Sequence, residues 1–179
     1  MNVDGSKLFL KGARTEGGHM LIGGRPKPGA PLLVAEGYAT GATLHEATGL
    51  PVAVAFNAGN LAEVARVYRA ADSSRPIIIA GDNDHHLPRR AVPLPNVGKE
   101  KAEAAAAAVG GVAVLPSFPA GDRGSDWNDL ARHQGHQPVT AAMRSALDQL
   151  QRVAADRLEL TAAGSRREAQ EVRPRGPRM

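Results

Sequence analysis

Four short, unbroken apolar runs set the strongest limit on how this chain can fold. Residues 32–35, 52–56, 77–80 and 112–115 lack the polar alternation of a half-exposed strand. A strand that is apolar on both faces must be covered on both, as in a parallel sheet sandwiched between helices. The intervening segments meet that requirement. Residues 39–48 read as a helix closed by Gly49, and residues 61–71 as a helix with Leu61, Val64, Ala65 and Tyr68 on one face. Residues 98–109 form an alanine-rich helix closed by Gly110 and Gly111. Four strands joined by crossover helices predict an α/β fold: an open parallel four-stranded sheet, right-handed connections, and helices on both faces.

The flanks follow different patterns. Residues 7–11 and 19–22 read as two short strands around a glycine-rich turn, and the Pro/Gly stretch 24–31 as a linker. After Pro116 come a loop over 117–124, a short turn around 125–129, and a helix over about 140–158. Met143, Ala146, Leu147, Leu150, Val153 and Ala154 give this helix one apolar stripe, which packs on the body or on a partner. The reading thus divides the chain into four parts. These are an N-terminal β-rich segment with linker (1–31), an α/β domain (32–135), a C-terminal helix (136–160) and a disordered basic tail (161–179).

Composition narrows the function classes. The chain has no cysteine, which excludes a disulfide framework, a thiol nucleophile and a cysteine zinc site. No apolar run is long enough to span a bilayer and no signal-peptide pattern opens the chain, so a cytoplasmic location is expected. Three Phe, two Tyr and one Trp are too few for a surface that stacks many bases. The net charge of +4 is unevenly placed: residues 1–31 and 164–179 each carry five basic residues against two acids, leaving 12 Lys/Arg against 14 Asp/Glu between. A slightly acidic body between basic ends tolerates a polyanion only with a cation in place.

The acids are placed to hold one. In an open parallel sheet the ligand sits at the carboxyl ends of the strands. Glu36 follows the first body strand, and Asp82 and Asp84 follow the third. Two unit charges 4 Å apart at an effective dielectric near 20 repel by about 4 kcal/mol. Three carboxylates gathered on one edge therefore call for a proton or a cation, and hard oxygen ligands favour Mg²⁺ or Mn²⁺. Gly37, Gly41 and Gly59 let the neighbouring turns approach a ligand. Asn57 and Asn60 reach the same edge or, equally, form a turn and cap a helix. Lys99 stands at a predicted helix start that welcomes an anion, but Pro93 and Glu100 break the P-loop pattern. His85 and His86 lack a third ligand at zinc spacing and read as loop residues beside phosphate or solvent.

Four ordered segments carry a family resemblance. They are Glu36-Gly-Tyr-Ala-Thr-Gly-Ala-Thr-Leu44, Val54-Ala-Phe-Asn-Ala-Gly-Asn60, Gly81-Asp-Asn-Asp84 and Ser125-Asp-Trp-Asn-Asp-Leu130. Together they resemble the Toprim domain of plasmid- and phage-type DNA primases, including those attached to conjugative-transfer proteins, over about residues 1–135. The resemblance implies that Glu36 is the general base in nucleotide addition and that Glu36, Asp82 and Asp84 form the Mg²⁺ site. It also implies a further acid near the site from Asp126 or Asp129, which otherwise start a helix. Single-stranded DNA and nucleoside triphosphates would be the substrates, and other domains or subunits of a primase, helicase or relaxase the partners. With no zinc ribbon and a short N-terminal segment, the chain is expected to belong to a larger protein. A Toprim nuclease and a catalytically inactive nucleic-acid-binding module are the competing readings. Strand-passage chemistry is excluded, since Tyr38 lies inside the first turn and Tyr68 on an apolar helix face.

Overall fold

The apolar runs pair into one sheet. In the computed structural model, which describes Gly12, residues 15–89 and residues 91–171, four strands run parallel. They are β2 (Leu32–Ala35), β3 (Val52–Val54), β4 (Ile77–Ala80) and β5 (Val112–Val114). β1 (Met20–Ile22) adds a fifth, antiparallel strand beside β3, giving the order β1-β3-β2-β4-β5. The sheet therefore has five strands, where the body alone predicted four.

The extra strand has a physical cause. Buried Asn60 donates to the carbonyls of Gly18 (2.8 Å) and Ala55 (2.9 Å), and its Oδ1 accepts from the Gly17 amide (2.8 Å). His19 Nε2 lies 2.9 Å from the Tyr68 hydroxyl, whose pKa burial raises. These bonds fix residues 17–19 against the start of the second helix and deliver the next three residues to the sheet edge. The strand expected at 7–11 lies outside the described residues.

Alternate strand residues enter opposite layers, as a doubly covered sheet requires. Leu32, Val34, Ile77 and Ile79 pack with Leu61, Val64 and Ala65 of α2 (Leu61–Ala71) and with Ala102, Ala105 and Ala106 of α3 (Val97–Val109). Leu33, Ala35, Ile78 and Ala80 face Leu44 of α1 (Tyr38–Thr48), Trp127 and Leu130 of α4 (Trp127–Gln134), and Val139, Met143 and Ala146 of α5 (His136–Glu171). The chain winds from β2 through α1 to β3, then returns past β2 through α2 to β4 and onward to β5. The switch in winding direction therefore falls between β2 and β4.

Three features depart from the sequence reading. Gly41 is a packing residue and not a ligand-approach glycine: a Cβ there would lie 2.6 Å from Val54 Cγ2, so its absence seats α1 on β3. The turn at 125–129 opens the helix α4, because the Asp126 carboxylate accepts from the Asp129 amide in its first turn. Helix α5 runs on to Glu171, past Leu158 and into the segment expected to be disordered. Its alanine, leucine, glutamate and arginine residues are strong helix formers, so local propensity carries the helix where packing ends. The last basic residues, 172–179, lie outside the described residues.

The Pro/Gly linker is also pinned. Asp72 Oδ2 accepts from the Gly29 amide (2.8 Å) and pairs with Arg75 (3.1 Å), while Oδ1 accepts from the Ser74 amide and hydroxyl. Buried Arg75 in turn donates to the carbonyls of Lys27 (3.2 Å) and Ala30 (2.5 Å).

Two predictions follow from this packing. Gly41→Ala should destabilise the protein by about 1–3 kcal/mol through overpacking, whereas Gly37→Ala, with open space for a Cβ, should leave the thermal midpoint unchanged. The hydrogen bond from Gly29, then those from Ser74, and the charge of Arg75 hold the Asp72 carboxyl at about 2 against an ordinary 3.8. A depressed carboxyl stabilises the fold above its ordinary pKa, and that contribution is lost as pH falls from 3.8 through about 2. Acid titration of wild type and Asp72→Asn should therefore converge over that interval, with the variant less stable at neutral pH.

Candidate active site

The site residues occupy the edge where the winding reverses. Ala35 of β2 is in register with Ala80 of β4. The next residues, Glu36 and Gly81, thus leave the sheet on strands about 4.8 Å apart. The Ala55 amide donates to the Ala35 carbonyl (2.8 Å), which brings the end of β3 beside them. Phe56 follows there with φ of +67°, the one non-glycine residue in the left-handed region among those described. Strain of that kind collects at functional edges.

Two absent Cβ atoms shape the turn after β4. A side chain at Gly81 would strike Ala102 and Leu115, and one at Gly98 would lie 2.6 Å from the Asp82 carbonyl oxygen. The N-terminus of α3 therefore sits directly against Asp82, where its dipole favours a carboxylate. Trp127 Nε1, buried, donates to the Gly81 carbonyl (3.1 Å).

An amide clamp then fixes the Asp-Asn-Asp turn. The Asn83 amide donates to the Ser125 carbonyl (2.6 Å), and its side chain donates to the Pro116 carbonyl (2.8 Å). Asn96, which caps α3, donates to Asn83 Oδ1 (2.8 Å) and accepts from the amides of Asp84 and Lys99 (both 3.2 Å). His85 stacks on Phe118 (centroids 5.6 Å, 16°), and Phe118 meets His133 edge-on. The Gly124 amide, and then His133 at 3.0 Å, hold the Asp122 carboxyl below its usual range.

Glu36, Asp82 and Asp84 are each partly buried at this edge. Yet among the described residues no three His, Asp or Glu side chains form a group able to hold a metal ion. The Asn83 side chain is bonded to the Pro116 carbonyl after β5, and the Asp84 amide to Asn96 of the α3 cap. The donor chemistry still suits a hard cation. Mg²⁺ commonly takes one or two carboxylates, completing its shell with water and substrate phosphates.

The remaining residues singled out from the sequence sort differently. Gly37 N-caps α1 without a side chain, leaving open space beside Glu36. Asn57 Oδ1 accepts from the Asn60 amide (3.0 Å), so Asn57 is a turn cap. Asp126 accepts from the Asp129 amide (2.7 Å) and Asp129 from the Ser125 amide (3.1 Å), so both acids build the start of α4. Lys99 is half-exposed, with Nζ 3.8 Å from Glu103. It borders a groove of about 590 Å³ beside the turn, together with Asn83, His85, Leu94 and Asn96. The sequence reading missed Asn96, although Asn before a glycine-containing helix start is a cap signature. It also missed Phe56, whose backbone strain leaves no trace in residue type.

Removing the Asn96 side chain leaves the Asp84 and Lys99 amides and Asn83 Oδ1 without it. Asn96→Ala should therefore lower stability by about 1–3 kcal/mol. Amide exchange should accelerate at Asp84 before it does in β4, which hydrogen exchange would resolve.

Comparison with known proteins agrees with this architecture. A family model described as Toprim domain matches residues 31–137. A protein named DNA primase TraC from Escherichia coli is 45% identical over 117 residues, covering 64% of this chain and 8% of that protein. A second Escherichia coli protein of the same name is 41% identical over 121 residues, covering 66% of this chain and 11% of its own length. No solved structure gives a significant match. The family match takes in the whole sheet from β2 to β5 and the edge carrying Glu36, Asp82 and Asp84, and the chain belongs to the Toprim family.

Proposed function

We propose that this chain is the Mg²⁺-dependent nucleotidyl-transfer module of a DNA primase, acting within a larger polypeptide or assembly. The observation that carries this reading is the meeting of β2 and β4 at the switch point, which places Glu36 and the Asp82-Asn83-Asp84 turn on one edge. Support comes from the 41–45% identity to proteins named as DNA primases, of whose length the chain spans about a tenth.

In this reading Glu36 takes the proton from the primer 3′-hydroxyl as that oxygen bonds to the α-phosphorus of the incoming nucleoside triphosphate, and the α–β phosphoanhydride bond breaks to release pyrophosphate. Asp82 and Asp84 would hold Mg²⁺ or Mn²⁺, which supplies neutralising charge to the phosphoryl oxygens when bound. The α3 N-terminus and the Asn83–Asn96 clamp keep that turn rigid, so little reorganisation is needed when phosphates arrive. Gly37 leaves room beside the base for substrate. The template is single-stranded DNA, and the partners are further domains or subunits of a primase, helicase or relaxase. The setting is plasmid replication or conjugative transfer in the cytoplasm. Among the described residues no helix is long and apolar enough to cross a membrane.

The test is dinucleotide formation by the full chain on single-stranded DNA, with nucleoside triphosphates and Mg²⁺ or Mn²⁺. Glu36→Gln should reduce the rate by about a hundredfold or more while leaving Mn²⁺ binding by calorimetry measurable. Asp82→Asn with Asp84→Asn should abolish both. A rate unchanged in Glu36→Gln overturns the mechanism, and nicking of supercoiled DNA in place of synthesis would assign a nuclease.

A further inference from the structure

The apolar stripe of α5 outlasts the body it packs on. Val139, Met143 and Ala146 are buried in the core, but Val153 is 42% exposed and Leu158 and Leu160 are each 73% exposed. Between this overhang and the amino-terminal end of the sheet runs a groove of about 590 Å³. Pro76, Val109, Leu150, Val153 and Leu158 give it an apolar floor. Arg69, Arg75 and Arg157 supply its charge, and among the described residues lining it there is no Asp, Glu or aromatic ring.

The cations are unequally compensated. Arg75 is paired with Asp72 (3.1 Å). Arg69 donates to the neutral carbonyls of Val109 (2.8 Å) and Ser73 (2.6 Å). Burial lowers the Arg69 pKa, Asp72 opposes the shift, and Arg157 and Arg75 add to it, so the Arg69 guanidinium feels the other two. Arg157 lies on the exposed overhang, inside the stripe, at helical spacing from Leu150, Val153, Ala154 and Thr161.

We propose that this groove docks a protein partner through an amphipathic helix whose apolar ridge is flanked by Asp or Glu. An apolar floor with an arginine wall and no acid matches that chemistry in both shape and sign. A nucleic-acid strand fits less well, because no ring is present to stack a base. A second copy of the chain also fits less well. Antiparallel pairing of two overhangs about their middle would bring the two Arg157 guanidiniums together at the dyad. The groove lies at the opposite end of the sheet from Glu36 and Asp82, so an occupant would leave the substrate edge open.

The test uses the full chain and three fluorescent synthetic helical peptides that share a leucine ridge and carry Glu, Gln or Lys flanks. Fluorescence anisotropy should show the Glu-flanked peptide binding about tenfold more tightly than the Lys-flanked one, with the difference shrinking in high salt. Leu158→Asp should abolish binding, and Arg157→Glu should reverse the preference toward the Lys-flanked peptide. Both positions are exposed, and circular dichroism would verify that the variants fold. Equal binding of all three peptides, or none, overturns the proposal. So does an oligothymidylate whose binding Arg157→Glu removes, or a concentration-dependent dimer in sedimentation velocity that Leu158→Asp abolishes.

Discussion

The parallel pairing of β2 with β4 is the contact on which the rest of this molecule depends. These strands are separated in sequence by a complete helix–strand–helix excursion, yet they share a register from Leu32 with Ile77 to Ala35 with Ala80. Their eight residues are fully buried, and their alternate side chains supply both cores. Because one strand leads to a helix on one face and the other to a helix on the opposite face, their carboxyl ends open into a crevice. Glu36 and the Asp82-Asn83-Asp84 turn stand at that crevice because they follow these two strands.

Around that pairing, small residues decide how closely the helices approach. Gly41 seats α1 on β3, Gly81 admits α3 over the end of β4, and Gly98 brings the α3 N-terminus onto Asp82. Bulk on the other face comes from Trp127, which is buried and also satisfies the Gly81 carbonyl. Close approach and hydrogen bonding thus act on the same turn from both layers. These contacts fix the backbone of the Asp-Asn-Asp segment at the carboxyl end of β4.

Polar side chains do the joining at the periphery. Asn60 ties the N-terminal segment to β3 and α2, and Asp72 with Arg75 ties the linker to the other end of the sheet. Both are local anchors for chain that has little apolar surface of its own, which is why residues 15–31 are part of the fold and not an appendage. Helix α5 does the reverse, beginning in the core and ending as an exposed amphipathic rod with an arginine-lined groove beneath it.

The sequence by itself determined the parallel strands, their covering helices and the acids at the strand ends. Those features depend on residue type at short range: unbroken Val/Ile/Leu runs, helical periodicity, and the residue following each run. It could not determine that residues 20–22 join the sheet, because that strand is held by Asn60, some forty residues away. Nor could it determine that Asp126 and Asp129 form a helix start, or that Asn96 holds the Asp84 amide against the α3 cap. Side-chain hydrogen bonds of this kind depend on a few tenths of an ångström between elements distant in the chain. Only tertiary packing fixes such distances, and it alone decided which acids cap helices and which face the crevice.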